Sequence, residues 1–173
     1  MKKTFLMIGL YLSTLAVFAT DSVDNDHFRI QGNVFDVHLS NGSEDEASHV
    51  QIVVYQNKEI FVAFFSGKKG EYEFNLPVGY EYEIAFGGSA FENQKVYVDT
   101  RPVVPRAGGY DLDLDIHLFR VIDGTQFSML QEPFMRLYFD QETAQLILDE
   151  EHYITQAKEL ERALRKMKRD KKA

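Results

Sequence analysis

The chain has 173 residues, enough for one ordinary domain with an appendage, and a formal net charge of −8. It contains no cysteine, which excludes a disulfide framework, a thiolate metal site and a lipid anchor on cysteine. The acidic balance argues against nucleic acid and anionic lipid as partners of the body of the protein, because binding to phosphate depends on lysine and arginine.

The N-terminus has the three-part pattern of a secretory signal peptide. Two lysines precede an uncharged run that ends at Phe18, and Ala19 closes a small-residue cleavage site. The run is shorter than the roughly 20 apolar residues of a membrane-spanning helix. We expect a signal peptide over residues 1–19, an acidic, unstructured leader over residues 20–27, and a mature chain without a transmembrane span. The product is then exported, to the periplasm or to an association with the outer membrane.

Residues 28–121 are predicted to form a sandwich of seven antiparallel strands. Polar and apolar side chains alternate with a period of two, glycine and proline separate the runs, and no helical period appears. The predicted strands cover residues 28–34, 50–55, 60–65, 72–76, 80–86, 94–98 and 111–119. The third of these is apolar at every position, which predicts that another part of the protein covers both of its faces.

Residues 70–86, GEYEFNLPVGYEYEIAF, look like a hairpin with four glutamates on one side. Aromatic residues alternate with acidic ones on both sides of a Pro-x-Gly turn, so the pattern predicts one aromatic wall facing the core and one acidic wall facing solvent. The acidic wall consists of Glu71, Glu73, Glu81 and Glu83. Like charges on neighbouring strands repel each other, so a positively charged partner is expected there.

The last part of the chain changes character. Residues 122–148 are predicted to form an extended arm or hairpin, and residues 149–173 a basic amphipathic helix with Asp149 as its N-cap. Its apolar stripe is Tyr153, Ala157, Leu160, Leu164 and Met167, and its basic side chains include Arg165 and Arg169. The stripe either packs on its own domain or completes the surface of a partner, and the basic end could lie against the acidic wall.

These runs resemble the carboxypeptidase-regulatory-like, transthyretin-like domain. The resemblance rests on GNVFD at residues 32–36, QIVVY at residues 51–55 and GEYEFNLPVGYEYEI at residues 70–84. The later runs DIHLF and LYFD are similar to those of exported Bacteroidetes proteins that join this domain to a C-terminal helical tail. The resemblance implies a transthyretin-like sandwich. The ending typical of transthyretin-like purine hydrolases is absent, so that activity is not implied.

Two acidic sets are candidates for chemical sites. Asp111, Asp113, Asp115 and His117 alternate on one strand face and are weak candidates for a hard cation, although a loop would have to close the cage. The alternative for this set is a solvated strand face. The four glutamates could include the acid and base of a glycoside hydrolase, but such a pair must flank a cleft, and surface charge is the simpler interpretation.

The sequence contains no catalytic signature. The histidines are scattered, and no nucleophile elbow or phosphate-binding glycine loop occurs. We therefore expect a non-enzymatic protein without a cofactor, acting as an interaction or scaffold module in a cell-envelope assembly such as an outer-membrane complex. The stripe and basic residues of the helix, with the acidic wall, are its predicted partner-binding residues. The alternative is an accessory domain that binds calcium or a glycan.

Overall fold

The computed structural model describes residues 27–39, 41–104, 108–121 and 127–170. The predicted signal peptide and the leader up to residue 26 lie outside these ranges. The strands are β1 His27–Val37, β2 Glu44–Glu46, β3 Gln51–Gln56, β4 Glu59–Phe65, β5 Glu71–Pro77, β6 Glu81–Gly88, β7 Phe91–Asp99, β8 Tyr110–Asp113, β9 Ile116–Leu118, β10 Met135–Asp140 and β11 Gln145–Leu148. A 3-10 turn, Ser128–Gln131, precedes β10, and helix α1 covers Glu150–Asp170.

The first sheet is built around β1. Strands β5 and β2 pair with one edge of β1 in antiparallel fashion, and β8 and β9 pair with its other edge in parallel. Strand β1 therefore has neighbours on both sides along most of its length, and its inward side chains Phe28, Ile30 and Val34 are buried.

The second sheet has the order β11-β10-β7-β6-β3-β4. Its ladders are antiparallel except between β7 and β10, which are parallel. The stretch predicted as an arm or hairpin supplies β10 and β11, which form a hairpin at one edge of this sheet. Strand β4 lies at the opposite edge.

The mainly β sandwich with a C-terminal helix is confirmed. Tyr72, Tyr82 and Ile84 are buried between the sheets as the alternation predicts. Phe74, Leu112 and Leu114 are half-buried and pack against the same core. The part of the chain predicted as a seven-stranded sandwich contains nine strands, β1 to β9, and the ladders of β1 with β8 and with β9 are parallel rather than antiparallel.

The predicted strand at residues 111–119 is divided into β8 and β9 by a close backbone crossing. Leu114 N donates to Gln31 O at 2.8 Å, and a Cβ atom added to Gly32 would lie 2.1 Å from Leu114 O. Only glycine permits this approach, because any side chain at position 32 meets backbone rather than a movable group. The break separates Asp111 and Asp113 from His117.

Strand β4 is exposed on one face, so the prediction that it is covered on both faces is wrong. Val62 and Phe64 pack against the core, whereas Ile60 and Phe65 are 66% and 63% exposed. Among the described residues, β4 pairs with β3 alone and forms the edge of its sheet. Its apolar run arises from an uncovered edge and not from burial on both sides.

Helix α1 packs on its own domain over a second, smaller core. Asp149 caps it, because Asp149 Oδ1 accepts from His152 N at 3.0 Å. Phe119, Phe127 and Phe134 belong to this second core. The partly buried residues around it include four members of the helix stripe, Ala157, Leu160, Leu164 and Met167. These four residues therefore pack on the protein's own domain, and they are only partly buried there.

Candidate partner-binding surface

The four predicted glutamates do not form one wall. Strand β5 belongs to the first sheet and β6 to the second, so the Pro-x-Gly segment between them crosses from one sheet to the other instead of closing a hairpin. The aromatic sides of both strands face each other across the core, and the glutamates point outward in opposite directions. The prediction of a single acidic wall is therefore wrong.

Glu81 and Glu83 lie on the outer face of the second sheet, where basic neighbours neutralise them. Glu81 Oε1 is 2.9 Å from Arg101 Nη2 and accepts from the Tyr97 hydroxyl at 2.6 Å. Lys95 Nζ lies 2.9 Å from Glu83 Oε1. Burial, and then the hydrogen bond to Glu81, raise the pKa of Tyr97 above its usual value. These two glutamates are thus part of a charge-balanced network.

Glu71 and Glu73 lie on the outer face of the first sheet, together with the aspartates of β8 and of the segment that follows it. The register pairs Asn33 with Glu71 on one side, and Gln31 with both Glu73 and Asp113. The acidic face, as we call it, consists of Glu71, Glu73, Asp111, Asp113 and Asp115, all of them exposed. The structure therefore joins half of the predicted glutamate set to the aspartates that were predicted as a separate site.

Each carboxylate of the aspartate series has its own partner on β1. Arg29 Nε donates to Asp111 Oδ1 at 2.8 Å, and its Nη1 lies 3.9 Å from Glu73 Oε1. Gln31 donates to Asp113 at 2.7 Å, and the backbone amide of Asn33 donates to Asp115 at 2.9 Å. Arg29 alone supplies positive charge to these contacts, so the acidic face remains strongly negative.

The carboxylate of Glu71 is fixed by backbone amides. Its Oε2 accepts from Lys69 N at 2.8 Å. Hydrogen bonds from the amides of Glu71 itself and of Lys69 hold the pKa of Glu71 below its usual value. This carboxylate is therefore charged at neutral pH and adds to the negative field of the acidic face.

The weak metal candidates do not converge. Asp111, Asp113 and Asp115 bind separate partners along β1, and His117 Nε2 lies 3.5 Å from Glu44 Oε2 while its ring stacks on Phe35. Within the residues that the structure describes, no group of three or more histidine, aspartate or glutamate side chains is placed to hold a metal ion.

A cleft of about 700 Å³ lies between helix α1 and the neighbouring end of the sandwich. The helix cleft, as we call it, is lined by Val37, Leu39, Glu44, Gln94, Asp115, His117, Phe119, Phe134, Met135, Leu148, Tyr153, Ala157, Leu160, Glu161 and Leu164. Most of these side chains are apolar, and acidic groups stand at its border. Its volume is in the range of sites that accept a ligand or several side chains of a partner.

Asp115 links the two surfaces. It contributes to the acidic face beside Glu71 and Glu73, and it also lines the helix cleft beside His117. The predicted helix residues Tyr153, Ala157, Leu160 and Leu164 line the same cleft. Two sets of residues that the sequence presented as unrelated therefore border one continuous surface.

The basic side chains at the end of helix α1 do not form the ion pairs of the predicted glutamates. Arg165 pairs with Glu161 one turn earlier on the same helix, at 2.5 Å, and Arg169 is exposed. Met167 packs towards the second core and not into the cleft lining. In the described part of the chain, the ion pairs of Glu73, Glu81 and Glu83 come from strands and loops of the sandwich.

Sequence reasoning missed several residues of the cleft, notably Phe119, Phe134 and Leu148. The sequence predicts Phe119 in a strand and the other two in the arm, whereas all three line the cleft and are buried or half-buried. The apolar content of the arm is higher than that of a solvated linker, and this is the signal that could have indicated its burial.

No protein-family model matches the chain, and a search of curated proteins gives no match. The chain is similar in structure to 3-chlorocatechol 1,2-dioxygenase from Rhodococcus opacus 1CP, at 11% identity and a TM-score of 0.40 over 56% of this chain and 61% of that one. It is also similar to a minor pilin of Streptococcus agalactiae, at 9% identity and a TM-score of 0.41 over 58% and 48% of the two chains. It is similar as well to catechol 1,2-dioxygenase from Acinetobacter sp. ADP1, at 11% identity and a TM-score of 0.42 over 69% of this chain and 60% of that one. The chain thus spans about half to three fifths of the length of these three proteins.

Proposed function

We propose that the protein is an exported, non-enzymatic interaction module of a bacterial cell-envelope assembly. It binds a protein partner through the acidic face and the helix cleft together. The partner segment carries apolar side chains that enter the cleft and lysine or arginine side chains that lie over the acidic face. The observation that carries this proposal is the continuity of the two surfaces at Asp115.

The apolar lining of the cleft supplies the binding free energy in this proposal. Leu160 and Leu164 are half-buried, and Tyr153 is 38% exposed, so each has surface left to bury against a partner. Burial of apolar area contributes roughly 25 cal/mol per Å² before the cost of association is subtracted. An aromatic side chain next to an apolar depression is the usual anchor of such an interface.

The acidic face supplies orientation and a faster encounter. Five carboxylates face solvent there, and Arg29 contacts two of them, Asp111 and Glu73. Exposed charge of one sign attracts an oppositely charged partner over a distance of about one Debye length, roughly 8 Å at physiological salt. Complementary charge therefore raises the association rate and selects partners more than it tightens binding.

Three further parts of the proposal rest on the sequence. The pattern of residues 1–19 supports export, to the periplasm or the outer membrane. The sequence GEYEFNLPVG at residues 70–79 supports membership in the transthyretin-like, carboxypeptidase-regulatory-like group, because it joins a glycine, aromatic and leucine strand to a Pro-x-Gly turn. The lack of a catalytic motif supports a binding role. In the described part of the chain, no helix combines the length and the hydropathy needed to cross a bilayer.

Site-specific photo-crosslinking tests the proposed function. A photoreactive phenylalanine analogue placed at Tyr153 in the cleft is expected to crosslink one envelope protein in intact cells, and so is one placed at Glu73 on the acidic face. The matched control is the same analogue at Lys158, on an exposed part of the same helix. The crosslinked segment should contain apolar residues next to lysine or arginine.

A synthetic peptide of the crosslinked segment then gives the quantitative test. The double variant Asp113→Lys and Asp115→Lys should slow its association and reduce the dependence of the rate on salt. Equal crosslinking at Lys158, or a crosslinked segment without basic residues, would refute the proposal.

A further inference from the structure

The outer face of the second sheet contains a pocket that the proposed function does not use. Its volume is about 530 Å³, and it is lined by Tyr55, Asn57, Lys58, Glu81, Tyr82, Glu83 and Tyr97. We call it the tyrosine pocket. It lies on β3, β6 and β7, on the opposite side of the sandwich from the acidic face. We propose that the tyrosine pocket binds a neutral saccharide.

The strand register places two tyrosine rings on either side of a carboxylate. Tyr55 is the direct neighbour of Glu83 on one side, and Tyr97 is its direct neighbour on the other. Adjacent strands lie about 4.8 Å apart, so the two tyrosines originate about 10 Å apart with Glu83 between them. A sugar ring that lies over this row places its C–H groups on an aromatic face and its hydroxyl groups on the carboxylates.

The polar groups of the pocket are held in place and keep free acceptor atoms. Glu81 uses Oε1 for both the Tyr97 hydroxyl and Arg101, and Glu83 uses Oε1 for Lys95. Within the described residues, Glu81 Oε2 and the Tyr55 hydroxyl form no hydrogen bond, so both are available to a ligand. Fixed carboxylates bind hydroxyl groups without the entropic cost of ordering a flexible side chain.

The rim of the pocket is a tight turn with a defined conformation. Asn57 and Lys58 join β3 to β4, and both have positive φ angles, 51° and 71°. Two successive positive φ angles are the mark of a type I′ hairpin turn. The turn is tied to β6, because Asn57 N donates to Glu81 O at 3.4 Å. Asn57 therefore stands at the rim on a defined backbone, and its side-chain amide can both donate to and accept from a ligand.

Charge balance favours a saccharide over a cation. Tyrosine rings next to carboxylates also bind ammonium groups. Here, however, Lys95 pairs with Glu83, and Arg101 pairs with both Glu81 and Asp99. Lys58, which lines the pocket, brings a third positive charge close to these three carboxylates. A cation gains little from a neutral surrounding, whereas the acidic face offers it five carboxylates. A neutral ligand rich in hydroxyl groups fits the tyrosine pocket better.

Titration with defined oligosaccharides tests the proposal. The probes are cellohexaose, chitohexaose, laminarihexaose and maltohexaose, followed by NMR of ring-labelled tyrosines. At least one probe should shift the signals of Tyr55 and Tyr97 and leave that of Tyr153, in the helix cleft, unchanged. Tyr55→Ala should weaken binding of that probe roughly tenfold, the size of one lost aromatic contact. Tyr55→Phe, which keeps the ring, should weaken it less.

Two controls make the result decisive. Phe65→Ala removes an exposed aromatic ring of the same sheet outside the pocket, and should leave binding unchanged. Choline tests the cationic alternative. The proposal is overturned if no probe shifts the two tyrosine signals, if Phe65→Ala weakens binding as much as Tyr55→Ala, or if choline displaces the oligosaccharide from the pocket.

Discussion

Tyr72 and Phe86 meet across the core with ring centroids 5.3 Å apart, although they belong to different sheets. The Tyr72 hydroxyl also donates to Leu114 O, at the point where the chain crosses Gly32. Tyr72 therefore joins the two sheets through its ring, and it joins β5 to the segment between β8 and β9 through its hydroxyl.

Loss of the Phe86 ring and loss of the Tyr72 hydroxyl should destabilise the fold by different amounts. Phe86→Ala should lower the free energy of unfolding by about 3–5 kcal/mol, because the side chain is fully buried. Tyr72→Phe keeps the ring and loses one hydrogen bond, which should cost about 1 kcal/mol. Urea denaturation followed by circular dichroism measures both. Equal losses for the two variants would contradict the assignment of the larger share to ring packing.

Removing helix α1 should uncover the second core without unfolding the sandwich. A chain that ends at Leu148 loses the helical cover over Phe119, Phe127 and Phe134. We expect its far-ultraviolet spectrum to keep the β signal and its binding of the dye ANS to rise strongly, since the dye reports exposed apolar surface. A chain that lacks only residues 171–173 is the control. Unchanged dye binding would show that the helix does not protect this cluster.

The Asp99–Arg101 pair should make stability depend on acid pH. Arg101 Nε and Nη2 donate to the two carboxylate oxygens of Asp99 at 2.9 and 2.7 Å, and these bonds hold the pKa of Asp99 below its usual 3.8. A depressed pKa stabilises the folded state above the usual value, and this stabilisation disappears as the pH falls through the folded-state pKa. Arg101→Gln should therefore lower the melting temperature at pH 7.

The same substitution should have a smaller effect near pH 2 than at pH 7, because protonation weakens the pairing of Asp99 with Arg101 as the pH falls through the lowered pKa of Asp99. Arg165→Gln, which removes an exposed pair within helix α1, is the control and should show a small effect at either pH. A difference between wild type and Arg101→Gln that is the same at both pH values would contradict the role of Asp99.

The exposed edge strand β4 should promote self-association. Unpaired backbone groups next to Ile60 and Phe65 offer a site for strand addition, and the interval between these residues contains no lysine or proline to block it. Phe65→Lys should raise the concentration at which aggregates form, with a stability change within about 0.5 kcal/mol. Light scattering and thermal melting measure the two effects.

Phe64→Lys is the matched control, because Phe64 points inward and its ring lies 5.5 Å from that of Phe74. Burying an ammonium group there should destabilise the fold by several kcal/mol and increase aggregation. If both lysine variants behave alike, the two faces of β4 are not distinct.

The inward residues of most strands could be predicted from the sequence because burial follows the period of two directly. The partner of each strand could not. A Pro-x-Gly turn between Leu76 and Tyr80 fits a hairpin and a crossing between sheets equally well, since both reverse the chain and bury the same side chains. A hairpin and a crossing between sheets can be distinguished only by contacts between residues far apart in sequence, such as the pairing of β5 with β1.

The residues of the binding surface could be predicted from the sequence, but their position relative to one another could not. The helix stripe and the aspartate series both appear in the sequence, yet Asp115 and Leu160 border one cleft only because β9 pairs with β1 and α1 follows β11. The continuous apolar run of β4 gave a wrong prediction of burial, because a run of this kind is compatible with an interior strand and with a poorly protected edge.

Strand β1 is synthesised before every other strand described above, and one of its edges is completed by residues that follow about eighty positions later, as the bond between Arg29 and Asp111 shows. A nascent chain that emerges N-terminus first cannot close its central sheet until this late segment has left the ribosome. We therefore expect the first sheet to close only after most of the chain has been synthesised, late in folding.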